Sequence, residues 1–143
     1  FGYDYLVDFE KRFELKARNP ITTGWGEVDK ISKDGLGQGE LGVVVAPTGA
    51  GKSMVLTHLG AAALMKGVNV IHYTLELSDT TIASRYDSCI TGVPLSDVFS
   101  FKEMIYEKVT ELDGSLIVKE YPTKSASTNS IKSHIEKLKN RGV

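Results

Sequence analysis

Cysteine is almost missing from this sequence: Cys89 stands alone among 143 residues. It has no partner for an internal disulfide and no CxxC company. A disulfide scaffold and a cysteine-built metal site are therefore excluded, and Cys89 reads as a small packing residue. Long apolar runs are missing too. No segment is long enough to span a bilayer and no signal-peptide pattern is present, so no membrane partner is expected. Together these features predict a cytoplasmic protein, including the cytoplasm of an infected bacterium. A strong charge of one sign is also lacking, since the formal net charge is −1, and with it any global basic signature of nucleic-acid binding. Locally the charge is uneven. After Asp113, residues Lys119, Lys124, Lys132, Lys137, Lys139 and Arg141 face only Glu120 and Glu136. A solvated helix face is the favoured reading of that stretch over a track for DNA. There is no internal repeat and no low-complexity tract. Chain length and a 41% hydrophobic content fit one ordinary globular domain.

What is present is concentrated in Leu41-Gly42-Val43-Val44-Val45-Ala46-Pro47-Thr48-Gly49-Ala50-Gly51-Lys52-Ser53. A β-branched run ends in a Gly-rich loop that opens into a helical pattern, which is the strand–loop–helix setting of a phosphate-binding P-loop. Gly49 and Gly51 allow backbone N–H groups to turn inward around phosphate oxygens. Lys52 is placed to reach the β- and γ-phosphates, and the Ser53 hydroxyl to ligate Mg²⁺. The helix start adds partial positive charge behind the anion. The pattern departs from G-x-x-x-x-G-K-[ST] at its first position, where Ala46 stands; Pro47, Thr48, Gly49, Ala50, Gly51, Lys52 and Ser53 retain the cradle. A nucleoside triphosphate, with Mg²⁺, is the expected ligand.

The remaining pattern alternates strands and helices. Leu6, Phe9 and Phe13 lie at helical spacing over Asp4–Arg18, ending at Asn19-Pro20. A Gly-dense stretch follows, with a short helix over Glu27–Ile31. The P-loop strand is expected over Leu41–Ala46 and its helix over Ser53–Lys66, stopped by Gly67. His58 lies within that helix as a packing or surface residue. Asn69–Leu77 is the second strand, and Ser78-Asp79 caps a helix to Ile90. A further helical region runs from Phe99 to Val109. Ser115–Lys119 is the third strand, and a last helix carries Ile131, Ile135 and Leu138 on one face. This order predicts a three-layer α/β/α fold with a mainly parallel sheet. Glu76, at the carboxyl end of the second strand, should share a crevice with Lys52, where a carboxylate could orient and deprotonate an attacking water. Capping of the next helix, or simply facing solvent, is the competing reading for that carboxylate.

Several segments, taken in order, resemble one family. They are Pro20-Ile21-Thr22-Thr23-Gly24-Trp25 with Val28-Asp29, then Gly35-Leu36-Gly37-Gln38-Gly39-Glu40-Leu41 and the P-loop. Thr74-Leu75-Glu76-Leu77-Ser78 with Arg85 follows, and Leu116-Ile117-Val118-Lys119-Glu120-Tyr121-Pro122-Thr123 completes the set. From Pro20 to Val143 the chain is similar to the RecA-like motor domain of DnaB-type replicative helicases, in the branch found in tailed phages. The resemblance implies a RecA-like P-loop NTPase that binds and hydrolyses ATP with Mg²⁺. It makes Glu76 the catalytic base and sets Arg85 near the nucleotide. It also implies a ring of like subunits, taken as a hexamer, acting on single-stranded DNA alongside a primase and a helicase loader. In that scheme residues 1–19 are a linker-like helix and 20–143 the front part of the ATPase domain. The strand closing on the Walker B aspartate, the DNA-binding loops and an arginine finger would follow Val143. A RecA/RadA- or KaiC-like ATPase forming filaments or rings without unwinding is the second reading. A small-molecule P-loop kinase ranks below both, because Tyr121–Asn129 holds no lid arginine.

Overall fold

Two short parallel strands organise the structure, a computed structural model that describes residues 2–14 and 17–142. Strand β1 (Val70–Thr74) pairs with β2 (Leu116–Glu120), with Val70 opposite Leu116 and Thr74 opposite Glu120. Successive side chains on a strand point to opposite faces. One face therefore carries Val70, His72, Thr74, Leu116, Val118 and Glu120, and the other carries Ile71, Tyr73, Ile117 and Lys119.

Helices cover both faces. On the first lie α2 (Lys52–Met65) and α3 (Asp79–Thr91). Ala61, Leu64, Ile82 and Tyr86 form the buried cluster there, with Val70, Leu116 and Val118 packed against it. Tyr86 lies edge-on to His72, and its hydroxyl is hydrogen-bonded to His72 Nδ1 at 3.0 Å. Gly60 makes this fit possible: a Cβ there would stand 2.0 Å from the Tyr86 hydroxyl oxygen. On the second face, α5 (Thr128–Asn140) meets the sheet where His134 Nδ1 and the Tyr73 hydroxyl are hydrogen-bonded at 2.8 Å. Two smaller helices, α1 (Gly26–Ser32) and α4 (Lys102–Thr110), complete the set.

The helix ends follow local chemistry. Ser78 accepts the Thr81 N–H at the start of α3, and Gly92 ends it in the left-handed region at φ +77°. Ser127 and Ser130 form a reciprocal capping box on α5. The ends of α3 lie within a residue or two of where the sequence places them.

Two expectations fail. Asp4–Arg18 is not a helix. Among its described residues it is a series of turns with one 3-10 turn, Glu10–Arg12, while Leu15 and Lys16 lie outside the described residues. A helix of that length is marginal unless its apolar face is buried, and Leu6 and Phe13 remain exposed. The Asp4 carboxylate instead accepts the N–H groups of Leu6 and Val7, an alternative to helical bonding. Nor is Leu41–Ala46 a strand, so the sheet has two strands among the described residues and not three. The β-branched run has no neighbouring strand to pair with, and Leu41 and Val45 are 87% and 88% exposed. Propensity for a pleated, half-buried surface does nothing without that surface.

Candidate functional site

The phosphate-binding pattern folds locally as its glycines require. Gly49 has φ +79° and Gly51 φ +93°, and no neighbouring atom lies within 4 Å of a Cβ built at either position. Backbone conformation, not crowding, therefore demands glycine there. Gly51 is the N-cap of α2, accepting the N–H groups of Met54 and Val55 at 2.9 and 3.0 Å. No side chain caps this helix, which leaves the first-turn N–H groups free for an anion. Lys52 folds back over the loop and donates to the carbonyl oxygens of Ala46 and Pro47 at 2.8 and 2.9 Å. Its ammonium is thus held over the loop, on acceptors it can exchange for others.

The opposite side of the site comes from β1. A four-residue connection, 66–69, joins the end of α2 to the start of β1, and the two elements pack together. They therefore run antiparallel, so the start of α2 and the end of β1 lie at the same end of the fold. Beyond that strand end, Thr74 stitches a bend: its hydroxyl donates to Leu77 O at 2.8 Å and accepts the Leu77 N–H at 3.2 Å. Glu76 sits exposed in this bend. The strand stops at Thr74, three residues short of the expected Leu77.

Arg85 projects from α3 into a cavity of about 290 Å³ shared with Met54, Thr57 and His58 of α2. The structure thus brings Arg85 to the first turns of α2. Two other arrangements were not legible in advance. Trp25 stacks on His58, with ring centroids 3.9 Å apart and planes 11° from parallel. Gly24 permits this approach, since a Cβ there would fall 2.7 Å from His58 Nε2. Glu120, at the end of β2, accepts the Asp79 N–H at 3.3 Å and so caps α3 from the neighbouring strand. The capping role weighed for Glu76 is thus met by Ser78 and Glu120, and the exposed position of Glu76 agrees with the solvent-facing alternative. Among the described residues no cluster of three or more His, Cys, Asp or Glu side chains could hold a metal ion. Likewise no described helix is long and apolar enough to cross a membrane.

The chain matches no family model. It is similar to a protein of Enterobacteria phage T4 described as a DnaB-like replicative helicase. The two are 34% identical over 149 aligned positions, which cover 96% of this chain and 31% of that relative. The chain therefore spans about a third of the length of the curated relative it matches. Over nearly all of its own length, it is related in sequence to the DnaB-type replicative helicases of phages.

Proposed function

We propose that this chain forms part of an ATP-driven DNA helicase motor of RecA-like fold. The observation that carries the proposal is the P-loop. Two positive-φ glycines lead into an uncapped 14-residue helix, with the Lys52 ammonium folded over the loop. An ordinary helix start has no use for that combination, whereas a triphosphate needs all of it.

In this reading the amides of Gly49–Ser53 cradle phosphate oxygens. Lys52 gives up its two loop carbonyls for the β- and γ-phosphates. The Ser53 hydroxyl would hold Mg²⁺, which would supply charge neutralisation at the phosphates. Glu76 orients the attacking water and takes its proton, and the Thr74 stitch fixes the bend from which it reaches. Arg85 meets the nucleotide from α3. The likeness to a replicative helicase supports assembly into a ring of like subunits, proposed as a hexamer, around single-stranded DNA. A primase and a helicase loader are its proposed partners.

Lys52→Ala should abolish nucleotide binding measured by calorimetry. Glu76→Gln should bind nucleotide as the parent does, yet lose turnover by about 10²-fold or more. Turnover measured with and without single-stranded DNA tests the motor role. Stimulation by DNA in a ring-sized species supports it. Indifference to DNA would point to a ring- or filament-forming ATPase that does not unwind.

A further inference from the structure

The phosphate cradle says nothing of where the rest of a nucleotide lies. We propose that Trp25, backed by His58, is the platform on which the nucleobase of the bound triphosphate stacks, with Arg85 facing it from α3. The inference rests on the P-loop reading and extends it to the nucleoside.

Geometry supplies the first reason. A P-loop cradles the α- and β-phosphates on its amides while its lysine reaches the β- and γ-phosphates. The nucleoside therefore leaves from the side away from the lysine, past the first turn of the helix. The 290 Å³ cavity opens there, on Met54 and Val55, immediately after Ser53. Its size suits a ring system, near the lower bound of about 300 Å³ for small-molecule pockets.

Chemistry supplies the second reason. The cavity lining has an indole, an imidazole, a guanidinium, two hydroxyls and a thiol, and no carboxylate among the described residues. Arg85 makes no ion pair among them. An unpaired cation beside stacked aromatic rings suits a flat ring that carries hydrogen-bond acceptors. His58 adds a buried Nε2 with no hydrogen-bond partner, a group that an interior packing role leaves unexplained.

The platform is also built rather than incidental. The Asp29 carboxylate of α1 accepts the Thr23 N–H at 2.8 Å and the Thr23 hydroxyl at 2.7 Å, and it accepts the Thr22 hydroxyl as well. Those hydrogen bonds hold the Asp29 carboxyl below its ordinary range. Thr23 in turn receives the Trp25 N–H at 3.2 Å. The backbone at Trp25 is thus held, and the stack on His58 sets the indole while it stays 37% exposed. A side chain fixed yet exposed is preorganised for a ligand.

Trp25 is the only tryptophan in the chain, so its emission reports directly on the site. The experiment titrates the intact chain, with Mg²⁺, with ATP and with inorganic tripolyphosphate, following binding by calorimetry and Trp25 emission in parallel. ATP should change the emission; tripolyphosphate should bind competitively and leave it unchanged. Trp25→Ala should weaken ATP binding about tenfold, as lost base stacking does, with tripolyphosphate affinity preserved and Trp25→Phe intermediate. ATP binding without an emission change, or an equal change with tripolyphosphate, would overturn the platform and leave the P-loop reading standing. Binding of both ligands by Lys52→Ala as tightly as by the parent would instead overturn the P-loop reading itself.

Discussion

Two β-rich runs of this chain meet opposite fates. Val70–Thr74 is a strand, paired along its length with Leu116–Glu120 and backed by Leu64, Ile82 and Tyr86. Leu41–Ala46 is at least as rich in valine, yet none of its residues belongs to a strand and most of its side chains face solvent. Composition does not separate them; neighbours do. A strand is stabilised by cross-strand pairs and by burial of one face, and only the first run has both. The two runs flank α2 in sequence, so the candidate site has one firmly packed wall and one approach left to the loop itself.

The sharpest way to break the contrast is to truncate one side chain on each side of it. Leu64→Ala, in the cluster behind β1, should cost about 2–5 kcal/mol. Val45→Ala, exposed in the unpaired run, should stay within about 0.5 kcal/mol. Chemical denaturation of the two variants checks both. Equal costs would mean that Leu41–Ala46 is packed in solution.

A smaller effect is expected where the two sequence-distant helices touch. Gly60→Ala gains helix propensity but drives a methyl into the Tyr86 hydroxyl, an overpacking worth about 1–3 kcal/mol. The hydrogen bond from Tyr86 to His72 should be lost with it, which near-ultraviolet circular dichroism would register. Stabilisation by this substitution would show that α2 and α3 are less tightly apposed than they stand here.

Acid should probe the same wall more gently. Burial pushes the His72 imidazole below its ordinary value, because desolvation disfavours its charged form. The unfolded chain then binds a proton more readily than the folded one. Stability is complete above the unfolded value of about 6.5, falls as pH drops below it, and levels off once the folded value is passed. Thermal unfolding between pH 5 and 8 should show this slope, and His72→Gln should flatten it. No slope would mean that the imidazole is solvated, and a slope of opposite sign that the folded state favours its charged form.

The smallest effect belongs to the exposed wall. Arg18 forms a fork on Glu40, at 2.6 Å to each carboxylate oxygen, just ahead of the unpaired run. That guanidinium, with the Gly37 N–H, lowers the Glu40 carboxyl to about 2. Its contribution is present above about 4.5 and lost as pH falls toward 2, a different window from that of His72. The pair is solvent-exposed, so Glu40→Gln should move the melting temperature little. A loss as large as that of Leu64→Ala would show that this fork, and not β-pairing, anchors the run.

Much of the local conformation around the candidate site was legible because its signals are short-ranged. Gly49 and Gly51 announce positive φ, and Ser78 announces the start of α3. Those features depend on residues within a turn or two of each other. The first segment misleads for the same reason. Leu6, Phe9 and Phe13 have helical spacing, but spacing describes a face without supplying anything to cover it.

Sequence alone thus determined the positive-φ glycines of the loop, the Ser78 cap of α3 and the order of α2, β1, α3, α4, β2 and α5, since each follows from backbone chemistry a few residues wide. Its likeness to phage replicative helicases was readable for the same reason, as a series of short motifs in order. Only the tertiary structure decided which β-rich run became a strand. It alone brought Trp25 onto His58, fitted the Tyr86 hydroxyl against Gly60, and capped α3 with Glu120 from 41 residues away. Those outcomes depend on which distant surfaces meet, and pairing and burial act only between surfaces already in contact.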